Sequence, residues 1–141
     1  MSQSRYVLDA CALLSLLQDE EGAEKVSDLF NAALVGEAFI AMHKLNLLEV
    51  YYDVYRSAGK VMADNIIMEL KSKPILIISE ISDAIFAEAG RIKASYKKVS
   101  FADAFALAVA LVSGSMLVTS DHHEMDAIEQ SEKNIGFYWI R

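Results

Sequence analysis

Four acidic residues stand where a parallel α/β sheet usually does chemistry. Asp9 ends the short apolar run Tyr6-Val-Leu and precedes the amphipathic stretch ACALLSLL, and Asp121 ends SMLVTS in the same way. Ligands of open α/β sheets gather outside the carboxyl ends of the strands. Asp103 is the only charge in FADAFALAVALV, a stretch apolar on every helical face and so expected to be buried. A carboxylate placed there needs hydrogen bonds, a cation or a raised pKa. Glu49 lies two turns into a helix that begins where the apolar run EAFIAM ends. Each acid also has a local structural reading. Asp9 suits a helix N-cap. Ser100-x-x-Asp103 and Asp121-x-x-Glu124 suit capping boxes, in which the later carboxylate accepts the N–H of the earlier residue. Both readings stay open residue by residue, but a single acidic pocket accounts for all four at once.

Such a pocket, with no paired His or Cys around it, suits hard cations bound through oxygen, Mg²⁺ or Mn²⁺. Packed like charges repel one another, and an ion relieves that repulsion. The chemistry that follows is metal-assisted hydrolysis of a phosphodiester.

The elements that must position these acids follow from periodicity and punctuation. Strands are expected at Tyr6–Leu8, Glu37–Met42, Ile75–Ile78, Ser115–Ser120 and Gly136–Ile140. Helices are expected from Ala10, over Ala23–Leu34, His43–Ser57, Lys60–Lys73, Asp83–Tyr96 and Phe101–Val112, with a short one through Ile128. Ser82 is placed to cap the fifth of these helices. The order β-α-α-β-α-α-β-α-α-β-α-β predicts a three-layer α/β sandwich, a mainly parallel sheet between helices. The closing aromatic run GFYWI reads as sheet core or as an interface edge.

In the third helix Asn46, Glu49, Asp53 and Arg56 share a narrow polar face, which reads as a solvated stripe with an acid pairing to Arg56. Arg91, Lys93, Lys97 and Lys98 form an acid-free basic run that either complements the helix dipole or binds substrate phosphate. His122 and His123 are adjacent and so point different ways from a helix, unlike the wider spacing of zinc ligands.

A chain of 141 residues is expected to form one domain, residues 1–141, without repeats or linkers. Its net charge of −7 argues against general coating of nucleic acid, but not against a nuclease with a local basic patch. The single Cys11 excludes an intrachain disulfide. The interrupted apolar runs do not suit a signal peptide or a membrane span, and a cytoplasmic location is expected.

The segments YVLDACALL, NLLEV, SFADAFALA and LVTSD, in this order, resemble the PIN-domain ribonucleases, especially the VapC-type toxins of toxin-antitoxin pairs. The resemblance runs nearly end to end. It implies a metal-dependent endoribonuclease, with Asp9, Glu49, Asp103 and Asp121 as metal-binding catalytic acids, Mg²⁺ or Mn²⁺ as cofactor, and RNA as substrate. A homodimer and a cognate antitoxin are implied as partners. Cys11, Asn46, Thr119 and Ser120 are then expected to support the acids. The chain departs from the pattern in carrying Cys11 where members usually have Ser or Thr, and in reading Asp121-His-His-Glu-Met-Asp126 where many have a further Asp and then Phe. Asp126 is expected to be a solvated helix acid. A catalytically silent PIN-like interaction module is the rival reading. A haloacid-dehalogenase-type phosphatase would want a second Asp at position 11, and a receiver domain would want paired acids at the end of its first strand.

Overall fold

The computed structural model describes residues 3–141 and places five strands and seven helices in the expected order. The elements are β1 (Ser4–Leu8), α1 (Ala10–Leu17), α2 (Ala23–Leu34), β2 (Ala38–His43), α3 (Lys44–Ala58), α4 (Lys60–Leu70), β3 (Leu76–Ile78), α5 (Asp83–Ser95), α6 (Phe101–Ser113), β4 (Met116–Thr119), α7 (His122–Ser131) and β5 (Gly136–Trp139). The strands form one sheet in the order β3-β2-β1-β4-β5, and every pairing is parallel.

Parallel strands need both faces covered, and the sequence supplies apolar side chains at successive positions for this. Leu8 and Val118 face a core built with Leu13, Phe30, Val50 and Ile66 from α1 to α4. Their neighbours Val7 and Leu117 face the other core, with Ile92, Leu107, Met125 and Ile128 from α5 to α7. That alternation across β1 and β4 makes the sandwich three layers deep.

Element ends differ from expectation for local reasons. Helix α4 stops at Leu70 rather than Lys73, because Pro74 disfavours helical backbone before it; Ser72 and Lys73 turn instead onto the carbonyls of Glu69 and Leu70. Strand β4 excludes Ser115 and Ser120. Ser82 caps α5, its Oγ accepting the Ile85 N–H at 3.2 Å. His43, expected to open α3, is instead the last residue of β2 and the N-cap of α3. Its buried ring accepts the Leu45 N–H at Nδ1 (3.1 Å), and Nε2 lies 3.1 Å from the Glu80 carbonyl. Burial lowers its pKa, so the neutral ring with its proton on Nε2 ties the end of β2 to the chain beyond β3.

The last strand is held at the sheet edge by α7. His122 stacks on Trp139 with ring centroids 3.9 Å apart, while its nitrogens lie 2.8 Å from Asp126 Oδ1 and 2.8 Å from the Arg141 carbonyl. Asp126 is a solvent-exposed helix acid, as expected, and it also contacts His122.

Gly22 opens α2 at φ +100°, and a Cβ there would lie 2.8 Å from the Ile140 carbonyl oxygen. A side chain would meet both a left-handed backbone and a fixed backbone atom. Gly22→Ala is expected to lower stability by about 2 kcal/mol in urea denaturation; an unchanged midpoint would show that the C-terminal segment yields freely.

Candidate metal centre

Strand β1 is central: the chain moves from it to β2 and β3 on one side, then crosses to β4 on the other. Where strand order reverses in this way, the helices leave a crevice at the carboxyl ends. Asp9 and Asp121 stand at that crevice. Leu8 pairs with Val118, and the Asp9 N–H donates to the Val118 carbonyl at 3.3 Å, so the two strand ends are locked side by side.

Asp9 is completely buried. Its Oδ1 accepts the Ala12 N–H at 2.8 Å, so it does cap α1, but its Oδ2 is buried with no hydrogen-bonding partner. Capping therefore explains one oxygen and leaves the other. Asp121 Oδ1 likewise accepts the Glu124 N–H at 3.2 Å, and its own N–H donates to the Thr119 hydroxyl oxygen at 3.1 Å. Thr119 thus shapes the turn that presents Asp121. For Asp103, only half of the capping box exists: Ser100 Oγ accepts the Asp103 N–H at 3.1 Å, and no return bond to Ser100 is formed. The Asp103 carboxylate turns instead toward Asp121 and Glu124, and one ligand atom from each of the three lies within 4.8 Å of the others.

Glu124 is the member the sequence reading left to capping. In a capping box it would accept the Asp121 N–H, but Thr119 has taken that donor. Its Oε2 is buried without a partner. The available signal was spacing, since Glu124 follows Asp121 by one helical turn and shares its face.

Charge and burial leave clear marks on these acids. Burial chiefly, opposed by Thr119 and the Ala12 amide and reinforced by Asp121 and Glu49, raises the Asp9 pKa to about 7. Burial first, then the adjacent Glu124 carboxylate and the charges of Asp9 and Glu49, raise Asp103 to about 9. Glu49 is raised by burial and then by Glu124, Asp53 and Asp121. The Cys11 thiol is pushed upward by burial and then by Asp9, Asp121, Asp103 and Glu49, which keeps it a neutral thiol beside the acids.

Among the described residues, the buried side-chain atoms without a hydrogen-bonding partner are Asp9 Oδ2, Glu124 Oε2 and the Asn46 Oδ1 and Nδ2. Native interiors pair most such atoms, and each one left over costs about 1–3 kcal/mol. Here they come from the end of β1 and the first turns of α3 and α7. Partnerless carboxylate oxygens among mutually repelling acids fit an oxygen-binding divalent cation, and the donor set contains no soft ligand that would favour another metal.

The remaining expected residues divide. Asn46 is fully buried one turn before Glu49, and Thr119 and Ser120 are buried at the end of β4. Arg91 is committed within the chain, bonding Glu132 through both terminal nitrogens (2.7 and 3.2 Å) and Glu88 through Nε (2.8 Å). Lys93 donates to the Lys97 and Val99 carbonyls at 3.3 and 2.6 Å, which ties down the loop before α6. Lys97 and Lys98 stay exposed, and with His123 and Glu124 they line a groove of about 270 Å³. The expected pairing of Arg56 with Asp53 or Glu49 does not form; Arg56 lies over the Tyr52 ring, 5.3 Å from its centroid.

A family model described as PIN domain matches residues 6–129. Among solved structures, a toxin-antitoxin complex from Klebsiella pneumoniae superposes with a TM-score of 0.70 at 18% identity, over 96% of this chain and 98% of that one. VapBC-1 from nontypeable Haemophilus influenzae gives 0.71 at 18%, over 96% and 98%. PAE2754 from Pyrobaculum aerophilum gives 0.62 at 23%, over 95% and 89%. No curated protein matches the chain by sequence.

The raised carboxyl groups couple folding to pH. Unfolded carboxyls titrate near pH 4, whereas Asp9 and Asp103 hold protons up to about 7 and about 9 in the folded chain. The metal-free fold therefore binds more protons than the unfolded chain across that window, and its stability falls as pH rises through it. In EDTA the urea midpoint is expected to be lower at pH 8 than at pH 5. Asp103→Asn should raise it more at pH 8 than at pH 5; a gain that is equal at both pH values, or a loss, would contradict the assignment.

Proposed function

Since the chain belongs to the PIN-domain family, we propose that it is an endoribonuclease that hydrolyses RNA phosphodiester bonds, with Mg²⁺ or Mn²⁺ held by Asp9, Glu49, Asp103 and Asp121. The observation that carries this reading is the cluster of Asp103, Asp121 and Glu124 at the switch point of a parallel sheet, with the charges of Asp9 and Glu49 near enough to act on Asp103 and with Asp9 Oδ2 and Glu124 Oε2 unsatisfied. When bound, such an ion lowers the pKa of a coordinated water and neutralises charge at the phosphate.

The chain's own groups prepare the site for that role. The Ala12 N–H fixes Asp9, and Thr119 with the Glu124 N–H fixes Asp121, so both carboxylates are oriented by backbone before any ligand arrives. Glu124 adds a carboxylate to the four that the family pattern implies. Cys11 fills its position without adding charge. A phosphate chain approaching so acidic a site needs local cations, and Lys97 and Lys98 supply them along the groove that reaches Glu124. Arg91 and Lys93 act at one remove, by bracing the α5 end that carries those lysines.

The complexes named among the similar structures support a toxin with a cognate antitoxin. We read the exposed apolar face of Leu48, Tyr52, Phe86 and Phe101 as the homodimer contact. Among the described residues no helix is long and apolar enough to cross a membrane.

A pool of structured RNAs is expected to be cut in Mn²⁺ or Mg²⁺ and left intact in EDTA. Asp9→Asn should slow cleavage by more than the ~10–100-fold that loss of a ligand's supporting partner costs. Cleavage that survives in EDTA or in Asp9→Asn would refute the reading. Replacing Lys97 and Lys98 together by Gln should flatten the dependence of log affinity for single-stranded RNA on log salt by about 0.7 per lysine, whereas Arg91→Gln should leave the slope alone. A slope unchanged in the double variant would remove the groove from the substrate path.

A further inference from the structure

Asn46 is the one unsatisfied group of the site that carries no charge. It lies in the first turn of α3, directly after β2, whose central neighbour β1 ends at Asp9. Asn46 and Glu49 are three residues apart and share a helical face. Asn46 is fully buried and Glu49 partly exposed, so on that shared face the amide lies deeper than the carboxylate. Neither its Oδ1 nor its Nδ2 has a hydrogen-bonding partner. A leucine of similar size would fill the position without stranding a donor and an acceptor, each costing about 1–3 kcal/mol.

The orphaned atoms state what is missing. In their ionised form, the one a metal ion binds, Asp9 Oδ2 and Glu124 Oε2 only accept, as does Asn46 Oδ1, whereas Asn46 Nδ2 only donates. A bare cation satisfies the oxygens and is repelled by the N–H. A water accepts from the N–H but offers two hydrogens to three oxygens. A cation that keeps part of its hydration shell meets both demands, and small divalent ions bind proteins in that form. We propose that Asn46 is a positioning residue that holds a water of hydration of the divalent ion, touching the ion only through that water. This rests on the reading of the acids as a metal centre.

The test is Mn²⁺ binding by calorimetry on the whole chain, with urea stability measured in EDTA, for wild type, Asn46→Leu and Asn46→Ser. Asn46→Leu is expected to be at least as stable as wild type in EDTA and to bind Mn²⁺ about tenfold more weakly. Asn46→Ser, whose hydroxyl still donates and accepts, should recover most of the affinity. If Asn46→Leu does not fold, Asn46→Ala against Asn46→Ser makes the same comparison. Apolar variants that bind Mn²⁺ as tightly as wild type would overturn the role of Asn46 and leave the metal centre standing. So would a loss that Ser does not restore, since packing would then be its cause. Wild-type protein that binds no Mn²⁺ would overturn both.

Discussion

Everything at the working end of this molecule depends on mutual repulsion among acids that the sheet does not allow to separate. The Asp9 N–H is bonded to the Val118 carbonyl, so β1 cannot move its acid away from β4. Helix α6 is apolar all round and buried along most of its length, so Asp103 cannot rotate to water without exposing Leu107 and Val109. Helix α7 is fixed by Met125 and Ile128 in the core, and this holds Glu124 beside Asp103. The fold spends stability to keep these groups together, and their raised pKa values record burial first and the neighbouring charges after it.

The same constraint explains the supporting polar groups. Isolated acids would be steadied by lysine or arginine, yet the cations of this chain point elsewhere: Arg91 to Glu88 and Glu132, Lys60 to Asp64. Backbone donors, a threonine hydroxyl and a neutral thiol surround the acids instead. A fixed cation in the pocket would neutralise it and compete with a metal ion, whereas neutral donors aim the carboxylates without discharging them. Lys97 and Lys98 lie along a groove at the rim, where they reach a polyanion without quenching the centre.

Much of this was legible in the sequence because it rests on local rules. Apolar runs with punctuation give the order of strands and helices, and strand-end position singles out Asp9 and Asp121. Burial of Asp103 follows from its apolar surroundings along the helix. What the sequence did not disclose depends on partners far along the chain. Arg91 and Lys93 look free until Glu132 and the Val99 carbonyl are brought against them. Glu124 looks like a cap until Thr119 takes the donor it would have accepted. Asn46 shares a polar stripe with Asp53 and Arg56, yet along that stripe burial falls from complete at Asn46 through partial at Glu49 and Asp53 to exposure at Arg56. Periodicity reports which residues share a face, but not how far along the helix that face stays dry.

The central claim is that the acids at the switch point form one divalent-ion site. Crystals grown with Mn²⁺ and measured above its absorption edge test it most directly, because the anomalous signal marks the ion without reference to activity. A strong peak is expected among Asp9, Glu49, Asp103, Asp121 and Glu124, absent from crystals of Asp9→Asn grown in the same way. A pocket without a peak, or a peak only at surface acids such as Asp126 or Glu129, would contradict it.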